Sequence, residues 1–367
     1  MSVVNIVLTG GPCAGKSTGL SLIEQELTNR GYKVYIVAES ATELILGGIK
    51  PVDVSLKEFQ KTIFQLQFKK EELYRNYAYE YSLKSGQNCV IIYDRGLMDG
   101  KSFMPDDEFL DILKELQLKE VDVRDRYDGV FHLVTAANGA AKYYTLGNNK
   151  ARSEGIEEAI KVDNACIAAW TGHPHFRVID NNFKDFSSKL DKLKMEILRL
   201  LGEPVSMEIE RKYLIKMPKI EELMNKYSVT KVEIIQTYLN SVSNVERRVR
   251  QRGSNGAYSY YYTEKRGTGL SRVEVERKVS ESEYLKLLMD ADTHLRQIRK
   301  DRYCFIYNSY YIELDIYPFW KDNAVVEVEL LTETDIVELP QELEVVREVT
   351  MDDCFKNYSL AVRTDIL

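Results

Sequence analysis

The chain has 367 residues, of which 44% are hydrophobic and 29% are charged, and its formal net charge is −7. A chain of this length typically divides into domains of about 150 residues, and we expect two. The composition is that of a soluble globular protein, and no apolar run reaches the roughly 18 residues of a membrane span. The net negative charge excludes a general nucleic-acid binder, because such proteins bind phosphate through an excess of lysine and arginine.

The chain start and the cysteines indicate a cytoplasmic protein. The apolar run from Val3 to Leu8 reads as a buried strand, and it lacks the basic region and cleavage site of a secretory signal. The five cysteines are odd in number, widely scattered and without a C-x-x-C pair. Neither a disulfide framework nor a zinc site is therefore expected.

From Val3 to about Leu201, short β-rich runs alternate with longer helical ones. The predicted strands are VVNIVLT, YKVYIVAE, NCVIIYD, GVFHLVTA and FRVID, and the predicted helices include Leu56 to Leu83 and Ile156 to Trp170. This alternation predicts βαβ units and a parallel sheet flanked by helices. A last helix, FSSKLDKLKMEILRLL, is stopped by the glycine and proline that follow, so we predict a first domain over residues 1–202.

Residues 206–362 have a different sequence pattern. Their predicted strands are rich in tyrosine and valine, and apolar and polar residues alternate along them with a period of two. Helical pieces are predicted near 219–226 and 281–292. The pattern predicts a second domain of the α+β class with a mostly antiparallel sheet.

The segment GGPCAGKST predicts a phosphate-binding loop. Gly10, Gly15, Lys16 and Ser17 have the spacing G-x-x-x-x-G-K-S, and Thr18 follows, between an apolar strand and a helix. Glycines let backbone N–H groups surround phosphate oxygens at the helix N-terminus, while Lys16 would reach the β- and γ-phosphates and Ser17 would bind Mg²⁺. No N-K-x-D guanine motif follows, so ATP and GTP both remain open.

Four further residues are candidates for the same site. Asp94 ends the apolar run CVIIYD, where a carboxylate would hold the metal directly or through water, and Arg95 would lie beside the phosphates. Glu39 ends another predicted strand, where it would orient or deprotonate an acceptor hydroxyl, or simply serve as a carboxylate at a helix N-terminus. Arg152 lies in the polar loop of residues 138–155, and it would either close over phosphates or remain solvated.

The combination of TGGPCAGKST, AESATEL and YDRGLMDG resembles the AAA-ATPase-like P-loop group related to nucleoside and ribosylnicotinamide kinases, over about residues 1–200. The resemblance implies that the strand ending at Asp94 lies next to the strand before the phosphate loop. It also implies that Asp94 and Arg95 serve the metal and the substrate phosphate. Asp163 and Trp170 are interpreted as packing and capping residues.

In the second half, charged residues recur on alternate strand positions, so they share one face of each strand. The sets are Glu208, Glu210 and Lys212; Arg248, Arg250 and Arg252; Thr263 and Lys265; Arg272, Glu274 and Glu276; Glu313 and Asp315; Glu327 and Glu329. One such set is typical of a solvated sheet face, but six sets sorted by sign favour a ligand with two poles. We predict a closed barrel with its apolar face outward and a lumen for polyphosphate with Mg²⁺ or Mn²⁺.

The order E-x-E-x-K, R-x-R-x-R, T-x-K, R-x-E-x-E, R-K-x-R, E-x-D, E-x-E resembles the CYTH family, the triphosphate tunnel metalloenzymes, over about residues 206–362. The resemblance implies an eight-stranded tunnel barrel. Its implied metal ligands are Glu208, Glu210, Glu327 and Glu329, with Asp315, Glu313, Glu274 and Glu276 as ligands or counter-charges. Its implied triphosphate contacts are Lys212, Arg248, Arg250, Lys265, Arg272, Arg299, Lys300 and Arg302. Metal-assisted attack of water on the terminal phosphoryl group is the implied reaction.

A P-loop domain followed by a tunnel domain is similar to the family named for the TRPL translocation defect protein. We therefore predict ATP or GTP binding with hydrolysis or phosphoryl transfer in the first domain. Metal-dependent hydrolysis of a triphosphate-containing substrate is predicted in the second. The alternative is a signalling or trafficking adaptor whose tunnel binds phosphorylated lipid headgroups or other anions without turnover. The number of carboxylates favours catalysis, because a simple anion binder does not need them.

Overall fold

The chain forms two compact units, Met1–Ser206 and Met207–Leu367. The structure is a computed structural model that describes residues 2–140, 155–182, 185–203, 209–241, 245–266, 273–330 and 337–362. Within these ranges no helix has both the length and the apolar character needed to cross a membrane.

The first unit is a five-stranded parallel sheet flanked by helices, which confirms the predicted architecture. Its elements are β1 (Val3–Gly10), α1 (Lys16–Asn29), β2 (Lys33–Val37), α2 (Ser40–Leu46), α3 (Leu56–Ser85), β3 (Cys89–Asp94), a 3₁₀ helix (Leu97–Phe103), α4 (Asp106–Glu115), α5 (Glu120–Arg124), β4 (Gly129–Leu133), α6 (Ile156–Trp170), β5 (Phe176–Ile179) and α7 (Phe186–Leu200). The strand order is β2-β3-β1-β4-β5.

The central strand β1 positions the phosphate loop. β1 pairs with β3 on one side and with β4 on the other, and Leu8 pairs with Asp94. The strand ending at Asp94 therefore lies next to the strand that enters the loop, as predicted. Helices α1 and α7 pack against the sheet through an apolar cluster that includes Ile6, Ile23 and Leu193. Because the order of strands reverses at β1, the ligand cleft is expected at its carboxyl end.

The second unit is an antiparallel sheet of nine strands in the order β10-β9-β8-β7-β11-β12-β13-β6-β14. Its elements are β6 (Ile209–Lys216), α8 (Ile220–Lys226), β7 (Thr230–Tyr238), β8 (Val245–Ser254), β9 (Ala257–Arg266), β10 (Val273–Val279), α9 (Glu281–Leu288), β11 (Ile298–Tyr307), β12 (Tyr310–Ile316), β13 (Asn323–Leu330), β14 (Val345–Glu348), a 3₁₀ helix (Asp353–Phe355) and α10 (Asn357–Val362). The antiparallel sheet is confirmed. The ninth strand, β14, was not expected, because it is short and exposed along its length and lacks an alternating apolar pattern.

Two parts of the outward face of this sheet are apolar and are covered by helices. Leu223 of α8 lies in one buried cluster with side chains of β6, β11, β12 and β13. Tyr284 of α9 lies in another with Val249 of β8 and Val279 of β10. Since strand side chains alternate between faces, the charged residues between these apolar positions lie on the inward face.

Candidate functional site

Two glycines shape the phosphate loop between β1 and α1. Gly10 and Gly15 have φ values of 149° and 92°, which side chains rarely allow, and a Cβ on Gly10 would lie 2.2 Å from the backbone oxygen of Leu133. α1 begins at Lys16, so its unpaired N–H groups favour an anion at this end. Ser17 and Thr18 are exposed in the first turn, where a ligand can reach them.

Asp163 of α6 holds the phosphate loop from the side of the protein interior. Its Oδ1 accepts hydrogen bonds from the backbone N–H groups of Gly11 at 2.8 Å and Thr135 at 3.0 Å, and it lies 3.0 Å from Nε2 of His132. A Cβ on Gly11 would lie 2.5 Å from that same oxygen. Asp163 was interpreted as a packing or capping residue, and the structure shows that it fixes the loop instead.

Lys189 of α7 supports the loop from a second direction. Its Nζ donates to the backbone oxygens of Ala14 at 3.2 Å and Val134 at 2.7 Å, and to Oδ1 of Asn181 at 2.8 Å. Burial lowers the pKa of Lys189 to about 8. Sequence reasoning missed this residue, although a lysine on the apolar face of an amphipathic helix is a recognisable signal.

Lys16 and Asp94 face the loop. Burial and the neighbouring Arg95 lower the pKa of Lys16, whose Nζ lies 3.4 Å from the backbone oxygen of Gly10. Burial raises the pKa of Asp94. Its Oδ1 is buried and has no hydrogen-bond partner among the residues that the structure describes. A buried, unsatisfied carboxylate oxygen beside a phosphate loop fits a hard divalent cation, so Asp94 would hold Mg²⁺ there.

Glu39 and Arg95 form an ion pair next to these residues. Nε of Arg95 donates to Oε1 of Glu39 at 2.7 Å, and the Thr42 hydroxyl donates to Oε2 at 2.5 Å. Burial alone would raise the pKa of Glu39, but Arg95 and Thr42 lower it overall, so the carboxylate is ionised. Glu39 occupies the N-cap position of α2 but makes no side-chain capping bond. Its contacts therefore favour a place in the ligand cleft over helix capping.

Asp99, in the motif YDRGLMDG, fixes the chain after β3. Oδ2 accepts hydrogen bonds from the Gly96 N–H at 2.8 Å and from Nε1 of Trp170 at 3.3 Å. Oδ1 accepts from the Thr9 hydroxyl and from Nη1 of Arg95, the latter at 3.3 Å. Asp99 is 3% exposed. Sequence reasoning did not assign it a role, because two of its partners, Thr9 and Trp170, lie on β1 and α6, far away along the chain.

In the second unit, the pairing register brings the predicted charged residues to one face. Directly opposite pairs on neighbouring strands include Glu210 with Glu329, Lys212 with Glu327, Glu313 with Glu327, Asp315 with Arg302, Arg248 with Thr263, and Glu276 with Thr263. Opposite residues in a sheet point to the same side. The strand register therefore groups these side chains on one face of the sheet, in agreement with the alternation in the sequence.

The sheet curls strongly towards that face. Glu210 on β6 and Lys265 on β9 are six strand positions apart in the order of the sheet. Desolvation and Glu327 raise the pKa of Glu210 overall, yet the positive charge of Lys265 is close enough to offset part of that rise. On a flat sheet they would be about 29 Å apart, far beyond the roughly 10 Å over which charges interact in salt solution. The inward face is therefore a concave, charge-lined surface.

An ion-pair network occupies the centre of this face. Nη2 of Arg302 donates to Oδ2 of Asp315 at 2.7 Å and to Oε2 of Glu327 at 2.6 Å. Nζ of Lys212 lies 2.7 Å from Oε1 of Glu327, and Lys300 contacts Asp315. Burial alone would raise the pKa of Glu327, but Lys212, Lys300 and Arg302 lower it well below its ordinary value. Glu327 therefore remains an ionised carboxylate shared by two cations.

Arg250 forms a second cation centre on the same face. Its Nη2 donates to both carboxylate oxygens of Glu276 at 2.8 Å, and the Thr263 hydroxyl donates to Oε2 of Glu276 at 2.8 Å. Nε of Arg250 is buried and lacks a hydrogen-bond partner within the described part of the chain. A buried guanidinium N–H without an acceptor is suited to receive a phosphate oxygen.

Arg299 does not join this face. It alternates with Lys300 along β11, so it points to the opposite side, where it is exposed and Nε donates to Oε1 of Gln297 at 3.1 Å. The predicted role of Arg299 in gripping triphosphate is at odds with this placement. Glu208, Arg152 and Arg272, also predicted as site residues, lie outside the described residues.

The inward carboxylates fit a cation, although in this structure they face lysine and arginine. No group of three or more metal-ligating side chains is assembled in the ranges that the structure describes. Glu210 has a side chain that is 53% exposed, so water reaches it within the concave face. Partial loss of hydration and the negative charges of Glu327 and Glu329 raise its pKa. Mg²⁺ or Mn²⁺ bound at Glu210 would relieve its repulsion by these two carboxylates.

Comparison with known proteins agrees with this division of the chain. The family model for the AAA domain matches residues 5–188, and the model for the CYTH domain matches residues 206–349. The chain thus belongs to the AAA domain family in its first half and continues into a CYTH domain. No curated protein matches. The resemblance to the family named for the TRPL translocation defect protein stays a prediction.

Solved structures match part of the chain. The crystal structure of the inorganic triphosphatase NE1496 is 28% identical, with 43% of this chain and 97% of that chain covered and a TM-score of 0.31. A second structure, titled hypothetical protein NE1496, is 27% identical, with coverages of 43% and 99% and a TM-score of 0.31. The PH1012 protein from Pyrococcus horikoshii OT3 is 21% identical, with coverages of 35% and 80% and a TM-score of 0.27.

Proposed function

We propose that the CYTH domain hydrolyses a triphosphate-containing substrate with the help of a divalent metal ion. The observation that carries this proposal is the concave face on which Lys212 and Arg302 share the carboxylate of Glu327. Buried charges of both signs are stable together only when paired. A triphosphate would take over the two cations, and the released carboxylate would then be available to the metal ion.

The residues of this face have distinct tasks in such a reaction. Lys212, Lys300 and Arg302 would bind phosphate oxygens, and Nε of Arg250 would supply a further donor. These cations would stabilise negative charge on the phosphoryl oxygens as the bond to the leaving group breaks. Bound at the carboxylates of Glu210, Glu327 and Glu329, together with Glu208, the metal ion would polarise a phosphoryl oxygen and the attacking water.

We propose that the P-loop domain binds ATP or GTP and either hydrolyses it or transfers its terminal phosphoryl group. Gly10 to Thr18 would surround the phosphates, and Lys16 would neutralise the β- and γ-phosphates. Asp94 would hold Mg²⁺ through its buried oxygen. The ionised Glu39 would orient an acceptor hydroxyl or water, with Arg95 beside the transferred phosphate.

We also propose a cytoplasmic location for the protein. The buried cysteines Cys89, Cys166 and Cys304 are thiols that form no disulfide. Free thiols persist in a reducing compartment.

The test of the tunnel function is phosphate release from tripolyphosphate, ATP and GTP with Mg²⁺ and with Mn²⁺. Glu327→Gln should reduce tripolyphosphate hydrolysis about 10- to 150-fold, which corresponds to the loss of roughly 1.5–3 kcal/mol of charge-assisted bonding. Glu342→Gln is the matched control, because Glu342 forms an ion pair with Lys226 away from the inward face. We expect the control to leave the rate unchanged.

Three results would count against catalysis in the tunnel. The first is a wild-type protein that is inactive with every substrate and metal. The second is an equal loss of activity in Glu327→Gln and Glu342→Gln, and the third is full activity in both variants. Tripolyphosphate binding without turnover would favour the alternative function, an adaptor that binds phosphorylated lipid headgroups or other anions.

A further inference from the structure

Gln67 is a buried amide in the middle of α3, the 30-residue helix that packs against β3. Its side chain is 5% exposed. A buried amide costs free energy unless its donors and acceptor all find partners. The position of Gln67 in the core therefore depends on the contacts that it makes.

Each polar atom of the Gln67 side chain has a partner. Oε1 accepts a hydrogen bond from the Ser40 hydroxyl at 2.6 Å. Nε2 donates to Oε1 of Glu71 at 3.0 Å and to the backbone oxygen of Arg95 at 3.3 Å. Oε1 of Glu71 also accepts from the Tyr127 hydroxyl at 2.7 Å, so it presents an acceptor and determines which end of the amide faces it.

The two segments that Gln67 joins are those that carry the Glu39–Arg95 ion pair. Ser40 follows Glu39 directly in the chain, and Arg95 has a φ of 69°, which is uncommon and costly for a residue with a side chain. The N–H of Arg95 donates to the backbone oxygen of Leu8 at 3.1 Å. Its carbonyl is held by Gln67. The Gln67 amide thus supports both the strained backbone of Arg95 and the chain segment next to Glu39.

We propose that Gln67 is a positioning residue that sets the Glu39–Arg95 pair for the phosphates at the P-loop. This inference rests on the function proposed for that site. Gln67 does not itself touch the ligand position. Its effect reaches the phosphates through the main chain of Arg95 and through Ser40. Loss of the amide should impair the step that depends on Arg95 more than it impairs nucleotide binding at Gly10 to Thr18.

The decisive variant is Gln67→Met, which keeps the length of the side chain and removes all three hydrogen bonds. The matched control is Ser82→Ala. Ser82 is also buried on α3, but its hydroxyl donates to the backbone oxygen of Gln87 at 2.8 Å, far from the ion pair along the helix. Ser40→Ala is a milder second variant, since it removes only one of the bonds to Gln67. Thermal unfolding shows whether each variant is folded.

The measurement is ATP turnover by the full-length protein, taken as the part that Lys16→Ala abolishes, so that turnover in the CYTH domain is subtracted. We expect Gln67→Met to lower kcat about tenfold with little change in KM, because it loses roughly one net hydrogen-bond contribution at each of the two segments. Ser82→Ala should leave kcat unchanged. Where steady-state turnover is too slow to follow, the same comparison is made with the rate of a single ATP turnover, with the protein in excess over ATP.

A double variant separates positioning from simple stabilisation. If Gln67 acts through Arg95, Gln67→Met should have no further effect in the Arg95→Ala background. Full additivity of the two effects, or equal effects of Gln67→Met and Ser82→Ala, would overturn the inference. If Arg95→Ala leaves ATP turnover unchanged, the role proposed for the ion pair is refuted, and the role of Gln67 is refuted with it. If Arg95→Ala lowers turnover and Gln67→Met does not, only the role proposed for Gln67 is refuted.

Discussion

Arg250 offers a direct test of the charged inward face. It lies on β8, where its guanidinium donates to both oxygens of Glu276 while Nε remains buried without an acceptor within the described residues. Arg247 lies on the same strand but on the outward side, where Nη1 lies 2.9 Å from Oδ2 of Asp290. Arg250→Gln and Arg247→Gln therefore remove the same charge and one carboxylate partner from opposite faces of one strand.

The expected difference follows from the burial of the two sites. The side chains of Arg250 and Glu276 are 17% and 15% exposed, so bulk water screens them little. A hydrogen bond from a charged donor contributes about 1.5–3 kcal/mol, which is roughly a 10- to 150-fold change in affinity. Arg250→Gln should weaken tripolyphosphate binding by this factor. Arg247→Gln should change it less than about twofold, because Arg247 is on the other side of the sheet.

Isothermal titration with tripolyphosphate, without a divalent metal so that the titrant is not hydrolysed, measures both affinities. Thermal unfolding of each variant controls for a loss of folded protein. Equal weakening by the two variants would refute the assignment of the inward face as the binding surface. Unchanged binding by Arg250→Gln would refute the role of this arginine in gripping phosphate.

Two further predictions concern the phosphate loop. Gly11→Ala should lower ATP affinity severalfold, because the added Cβ would lie 2.5 Å from Asp163. Gly155→Ala is the control and should leave ATP affinity unchanged, because a Cβ added there would have no atom within 4 Å. Unchanged affinity in both variants would contradict the role of Asp163. The pKa of Lys189 falls from 10.5 in the ordinary case to about 8 in the folded protein. Between those pH values Lys189 is protonated in the unfolded chain and neutral in the folded protein, so unfolding takes up a proton. The unfolding free energy of the wild type, relative to that of Lys189→Met, should therefore rise with pH in this window. The rise should be at most about 1.4 kcal/mol per pH unit. Denaturant unfolding from pH 7 to 10 checks this, and a flat or falling difference would contradict it.

The sequence predicts most of the fold because its patterns are local. A strand of apolar residues followed by a glycine loop and a helix specifies the phosphate site, and period-two alternation specifies which charges share a face. The same rule separates Arg299 from Lys300, since neighbours in a strand point to opposite sides. The resemblance to the CYTH family assigned a role to all three cations of the motif R-K-x-R, and strand alternation excludes the first of them, Arg299, from the inward face. β14 escaped prediction because exposed strands carry no alternation.

The residues that sequence reasoning missed act through contacts between distant elements. Asp163 reaches Gly11 across 152 positions, and Lys189 reaches Ala14 across 175. Gln67 joins α2 to the chain after β3. No local spacing encodes such contacts, since they depend on how helices pack against the sheet. The available signal is a polar or charged residue at a core-facing helix position, which marks a site that needs a partner.

The central claim is that the inward face of the CYTH domain binds a triphosphate independently of the phosphate loop. Its most direct test is a titration of tripolyphosphate, without a divalent metal so that it is not hydrolysed, into the wild type, Lys16→Ala and Lys212→Met. The account predicts one tripolyphosphate per chain with equal affinity in the wild type and Lys16→Ala, and much weaker binding in Lys212→Met. Binding that disappears in Lys16→Ala and survives in Lys212→Met would contradict it.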